Sequence, residues 1–416
     1  MPHITKWYRS DMAGAPDLGS GYGNAPTQRG KMNAVIKACL IEGFNTQAIL
    51  AANMAYSAGT DRVTVDFGVS HGYLEHQIIE ITGADQAGYN GQFRVLALTA
   101  NTIQFKPDTA PTTSPSTGST IQCKTPPMGG WEKVHEDASL HKMSLRRTAA
   151  DATPHTFIFD NSVVNTSTST NESFFCELQM CRSDAYTNLD SYETAINVGL
   201  YWPASKYKSS GSYTTGRQDW TLIGDHKLFY YGSSYGYFAR THWCVLGDIE
   251  SVRPGDTGHC VIQGVKNSLT WGSNSTSANN TYAVGTAGAE LSSTWKRYMA
   301  TKYTLIPGYT TWRLRGIGEI SGDTFQYPSL PTNAFFVSTA PIMVEEVDAG
   351  MRGWMPGLVQ PLQTNEAFSE TIMTNIPGFS GEPVYFAQTQ IKGDQNLSVS
   401  GDRLIAFKLD DWRGAV

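Results

Sequence analysis

A mainly β protein with more than one domain is what this sequence predicts, and three observations predict it. Short runs with apolar residues at every second position recur from about residue 60 onward, each bounded by Gly, Asn, Ser or Pro. The composition combines 40 Gly, 20 Tyr, 17 Phe and 10 Trp with only 16% charged residues, which suits many short strands joined by turns. A chain of 416 residues also exceeds what one compact core usually holds. The expected architecture is an antiparallel β-sandwich or barrel body, a small N-terminal β-module and one short docking helix. The expected divisions are an extended arm and helix over residues 1–43, the β-module over 44–126, and the body over 127–416 with a long polar loop near 272–292.

Residues 1–29 are rich in Gly and Pro and show no period. Trp7 and Tyr8 would be costly to leave in water, so the segment is read as an ordered arm. Met32, Val35, Ile36, Cys39 and Leu40 follow the i, i+3, i+4, i+7, i+8 spacing of an amphipathic helix, and Gly43 stands where a C-terminal cap belongs. So short a helix is not stable alone, and its apolar stripe must dock.

The period then changes to two. Val63, Val65 and Phe67 alternate with Thr64 and Asp66, Ile79 and Ile81 flank Glu80, and Phe93 and Val95 follow the turn signal Tyr89-Asn90-Gly91. Ile103 with Phe105, and Ile121 with Cys123, complete the module around a polar loop at 109–120. Beyond Gly130, strands are expected at 132–135, 143–147, 156–160, 173–181, 196–201, 220–223, 227–231, 243–246, 259–264, 297–305, 311–317, 334–338, 342–347, 384–388 and 403–409. No helical pattern separates them, which excludes a βαβ organisation. Trp220-Thr-Leu-Ile-Gly-Asp225 and Trp243-Cys-Val-Leu-Gly-Asp248 share one pattern and predict two similar strand ends in one sheet.

The formal net charge is −6, and no basic run exceeds Arg146-Arg147, so the pattern does not favour sequence-specific nucleic acid as a partner. No apolar run is long enough to span a bilayer, and Met1 to Lys6 lacks an apolar secretory core, so synthesis in a cytoplasm without a membrane partner is expected. Cys39, Cys123, Cys176, Cys181, Cys244 and Cys260 form no CxxC pair and are expected to be reduced, buried hydrophobes with no zinc.

Titratable residues concentrate only between 225 and 260: Asp225, His226, His242, Asp248, Glu250, Asp256 and His259. Asp225, Asp248 and Asp256 each follow a Gly, as turn residues do, and the histidines lack HxH or HxxxH spacing. GxSxG, P-loop and GxGxxG motifs are absent. The sequence therefore predicts no catalytic, cofactor-binding or metal-binding residues, no cofactor and no enzymatic activity.

Ile4-Thr-Lys-Trp-Tyr-Arg-Ser-Asp-Met-Ala-Gly-Ala-Pro16, with Ala34 to Leu40 and Gly43-Phe44, resembles the opening of virion structural proteins of tailed bacteriophages. Ile81-Thr-Gly-Ala-Asp85, Tyr89 to Val95 and Asn101 to Phe105 resemble a small β-domain of phage tail and baseplate proteins. Trp220 to Tyr231, Leu246 to Ile249 and Arg352-Gly-Trp-Met-Pro-Gly-Leu358 resemble later parts of the same pattern. The resemblance implies a virion component of the tail, baseplate or neck that joins other virion proteins as a homo-oligomer, and it carries over no catalytic residue. The alternative is a tail spike or fibre that binds or cleaves a host-surface glycan.

Overall fold

The computed structural model describes residues 5–18, 29–162, 164–165, 173–194, 200–204, 219–234, 241–265, 295–302, 304, 308–315, 337–347, 349–362, 370–379, 381–389 and 403–413. The expected polar loop at 272–292 and the aromatic run Tyr235 to Phe238 lie outside them. The chain is mainly β, with one short α-helix among the described residues, and it divides into two compact units. The smaller comprises Lys6–Pro16 and Val35–Gly129; the larger comprises Met1–Thr5, Asp17–Ala34 and Gly130–Val416. The division therefore falls inside the helix and at Gly129, rather than at residues 43 and 126.

The smaller unit includes the strand β1 (Lys6–Arg9). Trp7 and Tyr8 are buried, Trp7 Nε1 donates to the His76 carbonyl and the Tyr8 hydroxyl to the Pro126 carbonyl. The Lys6 ammonium donates to the Met128 carbonyl, and burial pulls its pKa down to about 8. These anchors explain why residues 6–16 belong to the unit and do not stand off as an arm.

Helix α1 (Lys31–Lys37) continues as a π-turn over Ala38–Glu42, and the five predicted stripe residues are all buried. Gly43, at φ 75°, closes the turn with its N–H on the Ala38 carbonyl. The next carbonyl, that of Cys39, accepts from Met128 N instead of from the helix, which accounts for the widened last turn.

The strands β2 (Phe44–Ile49), β3 (Met54–Ser57), β4 (Arg62–Asp66), β5 (Ile78–Thr82), β6 (Gly91–Leu98), β7 (Thr102–Phe105) and β8 (Ile121–Thr125) follow. They form one seven-stranded antiparallel sheet in the order β2-β8-β5-β6-β7-β4-β3. Every second residue faces one core: Val63, Val65, Ile79, Ile81, Phe93, Val95, Ile103, Phe105, Ile121 and Cys123. The alternation stops at Ala97 because a bulge follows Val95, which pairs with Phe105 while Ala97 pairs with Gln104. The 109–120 loop covers the β3 edge. The Ser114 hydroxyl bridges the Tyr56 N–H and carbonyl, and Ser116 N donates to the Met54 carbonyl.

The larger unit contains β9 (Trp131–Glu136), β10 (Lys142–Arg147), β11 (His155–Asp160), β12 (Val164–Asn165), β13 (Ser173–Asn188), β14 (Ser191–Thr194) and β15 (Leu200–Pro203). The chain continues through β16 (Trp220–Gly224), β17 (Leu228–Ser234), β18 (Thr241–Asp248), β19 (Glu250–Ser251), β20 (Cys260–Val265), β21 (Trp295–Met299) and β22 (Thr310–Arg315). It ends with β23 (Val337–Ser338), β24 (Ile342–Glu346), β25 (Gly350–Met355), β26 (Leu358–Pro361), β27 (Thr371–Met373), β28 (Val384–Thr389) and β29 (Arg403–Lys408). In this unit the sequence pattern missed β12, β14, β19, β25, β26 and β27, which are short or do not alternate. Gly353 shows why: a Cβ there would lie 2.1 Å from the Glu250 carbonyl, so the pairing of β19 with β25 requires glycine.

The two Trp-x-x-x-Gly-Asp segments are β16 and β18, which flank β17 in antiparallel register. They are offset by one residue, Trp220 opposite Ser233 and Trp243 opposite Gly232, so the two tryptophans point to opposite faces. Both faces are covered. On one, Trp202 stacks on Tyr231 at 5.6 Å and Trp131 meets Phe229 edge-on at 5.3 Å. On the other, Phe407 packs on Tyr230 at 4.9 Å and on Trp243 at 4.7 Å. Aromatic residues thus fill the core of this unit, rather than marking an exposed surface on β17.

All six cysteines are free and buried. Burial pushes Cys123, Cys181 and Cys260 up to about 12, and Cys39, Cys176 and Cys244 well above the usual thiol range. The native protein should therefore leave Ellman's reagent almost unconsumed, whereas the denatured protein without reductant should titrate as six thiols. A count of four or fewer would show a disulfide or another modification.

Candidate functional site

The stretch 225–260 is where titratable side chains gather, and the structure ties its acids to two buried arginines, Arg147 and Arg352, and to the partly buried Arg413, all distant in sequence. At the end of β10, Arg147 Nη1 donates to Asp248 Oδ1 at 2.7 Å, with both side chains fully buried. Arg147 Nη2 donates to the Thr153 carbonyl at 2.7 Å, and Thr153 N and Oγ1 donate to the Asp248 carboxylate at 2.8 and 2.7 Å. The guanidinium also lies 4.8 Å from the Phe157 ring centre. Burial alone would push the Asp248 carboxyl up, but Arg147, His259 and the Thr153 donors outweigh it and hold the group below the usual carboxylate range. His155, beside Thr153 Oγ1 at 3.1 Å, is brought down to about 4 by burial and then by Arg147, so it is neutral near pH 7.

A second cluster gathers on Arg413, in the last described segment. Its guanidinium donates to Asp225 Oδ2, Glu250 Oε1 and the Asp248 carbonyl, each at 2.6 Å. Asp225 Oδ1 accepts from Lys227 N and Leu228 N, both at 2.8 Å, which is the turn chemistry its Gly-Asp context predicts. The third cluster surrounds Arg352 on β25. Arg352 meets Asp256 through two parallel hydrogen bonds of 2.8 and 2.9 Å, and Glu346 at 2.8 Å. Asp256 accepts further from Ser251 Oγ and Gly258 N.

The turn expectation is thus right for Asp225 and Asp256 but incomplete, and for Asp248 it gives way to an ion pair at the end of a strand. His226 is buried, with its Cβ 2.3 Å from where a Cβ on Gly130 would stand. His242 is opposite Ser233 in β18, and its side chain lies outside the described residues. His259 Nδ1 lies 2.5 Å from the Asp256 carbonyl and Nε2 4.0 Å from Asp248 Oδ2, so it stands between the first and third clusters. Arg147, Arg352, Arg413 and Thr153 were not singled out by the sequence. Only Arg352 stands alone between apolar neighbours in the sequence; Arg147 follows Arg146, and Arg413 follows Asp410-Asp411-Trp412.

Asp248 and Asp256, each held below the usual carboxylate range by a buried guanidinium and by backbone N–H donors, serve as fixed charges rather than as proton donors and acceptors. What they can do is tie layers together: the Arg147–Asp248 pair joins β10 to β18, and Arg413 joins the end of the chain to β16 and β19. Among the described residues, no group of three or more His, Cys, Asp or Glu could hold a metal ion. Nor is any helix among them long and apolar enough to cross a membrane.

The fold and these clusters define a multi-sheet, mainly β protein braced by buried arginine–carboxylate networks. No family model matches the chain, and no curated protein matches it. Among solved structures it is similar to one described as a phage phi92 endosialidase, with 10% identity and a TM-score of 0.17, over 89% of this chain and 52% of that one. The chain thus spans about half the length of that structure. A TM-score of this size does not define a shared fold.

Proposed function

We propose that this chain is a structural component of a tailed-phage virion that joins neighbouring virion proteins in the tail, baseplate or neck, in more than one copy, and catalyses no reaction. The observation that carries this reading is the use made of the acidic stretch. Asp225, Asp248 and Asp256, the residues from which an acid–base site would be built, are paired with arginines, of which Arg147 and Arg352 are fully buried. A low charged fraction with many Trp and Tyr supports it further, since contact surfaces in assemblies are depleted in charge and enriched in aromatics. The resemblance of the N-terminal segment, the small β-module and the Arg352 to Leu358 segment to phage virion proteins supports the location.

The test is made on intact particles. Mass spectrometry of gradient-purified virions should find the chain at a fixed copy number, and a density map should trace it between other virion proteins. Its absence from complete particles would refute the reading. Degradation of host polysaccharide by the purified protein would replace it with the spike alternative.

A further inference from the structure

Away from the arginine clusters, one sheet face of the larger unit, partly exposed at Lys142, Asp160, Glu177 and Tyr201, carries a different set of groups. Lys142, Asp160, Glu177 and Tyr201 lie directly opposite one another across β10, β11, β13 and β15, so their side chains form one row. Ser144, Ile158 and Gln179 form the row beside it, of which Ser144 and Ile158 are buried and Gln179 is partly exposed. β13 runs on past its pairing with β11 and turns into β14, placing Tyr186 opposite Tyr192. The Tyr186 hydroxyl reaches Ser144 Oγ at 2.6 Å and lies 3.1 Å from His135 Nδ1. The Tyr186 and Tyr192 rings are 26° from parallel with centres 6.2 Å apart, so they are offset and do not cover each other.

Tyr186, Tyr192 and Tyr201 all remain partly exposed. Lys142 bridges Asp190 at 2.9 Å and Asp160 at 3.6 Å. Gln179 Nε2 donates to Glu177 Oε1 at 3.3 Å. The face therefore offers partly exposed aromatic rings beside three carboxylates, one ammonium and one amide. Two of the carboxylates, Asp160 and Glu177, stand opposite each other, with Lys142 at 3.6 Å from Asp160 and Gln179 on Glu177.

We propose that this face, with the Tyr186 and Tyr192 rings at its border, binds a neutral saccharide chain. The chemistry fits in three ways. Partly exposed tyrosine rings take the apolar C–H faces of pyranose rings. Carboxylates accept hydrogen bonds from hydroxyl pairs, while Lys142 and Gln179 donate to hydroxyl and ring oxygens. One cation against three carboxylates repels uronic and sialic acids, so a neutral chain is selected over an acidic one. The inference goes beyond the proposed virion role and does not depend on it, because it concerns the isolated protein.

The test is calorimetric titration of the whole protein at neutral pH with maltohexaose, cellohexaose and chitohexaose, and with hexagalacturonate as the acidic comparator. At least one neutral hexasaccharide should bind with Kd below about 1 mM. Tyr192→Ala should weaken that binding roughly tenfold, near the upper end of what one aromatic contact supplies, while Tyr192→Phe retains it. Glu177→Gln, which keeps the side-chain shape, should also weaken it and serves as the readout if Tyr192→Ala does not fold. The proposal is overturned if none of the neutral sugars binds at about 1 mM, if hexagalacturonate binds as well as they do, or if folded Tyr192→Ala and Glu177→Gln proteins bind unchanged.

Discussion

Replacing Arg352 with methionine should lower the stability of the larger unit by about 3–5 kcal/mol, the usual cost of removing one partner from a buried ion pair. Methionine fills much of the same volume, so little of this loss comes from a cavity. It comes from leaving Asp256 and Glu346 buried, 6% and 3% exposed, without the guanidinium that faces both. The nearby Arg313–Glu345 pair is a control. Arg313 is 41% exposed there, and Arg313→Met should cost less than about 1 kcal/mol. Urea unfolding of the two variants measures the difference. Equal midpoints would show that burial does not set the worth of these pairs.

Asp248→Ala should cost a similar amount, about 3–5 kcal/mol, because it leaves Arg147 buried without its carboxylate and removes the acceptor of two Thr153 donors. The variant should also change the response to acid. Asp248 has a depressed pKa in the fold, so the stability it contributes is present above its unfolded value of about 4 and is lost as pH falls through the folded value. His155 is depressed as well, to about 4, so in the unfolded chain it takes up a proton at a higher pH than in the fold. The stability linked to it is full above about pH 6.5 and declines between there and about pH 4. The parent protein should therefore lose stability in two steps on acidification, and Asp248→Ala should shrink the lower one, leaving the part that Asp256 contributes. A melting-temperature profile from pH 7 to 3 that is unchanged in shape would contradict this. Neutralising Asp225 or Asp248 in a virus would consequently reduce infectivity through folding, and only correctly assembled particles can report on chemistry.

The sequence by itself determined the local structure of this protein. Alternation at Val63 and Val65, Ile79 and Ile81, and Phe93 and Val95 fixes strands with one buried face, because side chains in a strand alternate whatever the strand packs against. The 3.6-residue stripe from Met32 to Leu40 and the cap at Gly43 fix the helix in the same way, apart from the π-turn that Met128 imposes on its end. The repeated Trp-to-Asp pattern announced two equivalent strand ends. Only the tertiary structure decided what lies at distance. Lys6–Pro16 is held in the smaller unit by carbonyls of residues 76, 126 and 128, which no local period encodes. Arg147 meets Asp248 across 101 positions, and Arg413 meets Asp225 across 188. The row from Lys142 to Tyr201 exists only because four strands align in register. Period and capping are properties of neighbouring residues and are written along the chain. Charge pairing and strand register are set by which surfaces pack together, and the same arginine or aspartate would look identical in sequence whether solvated or buried.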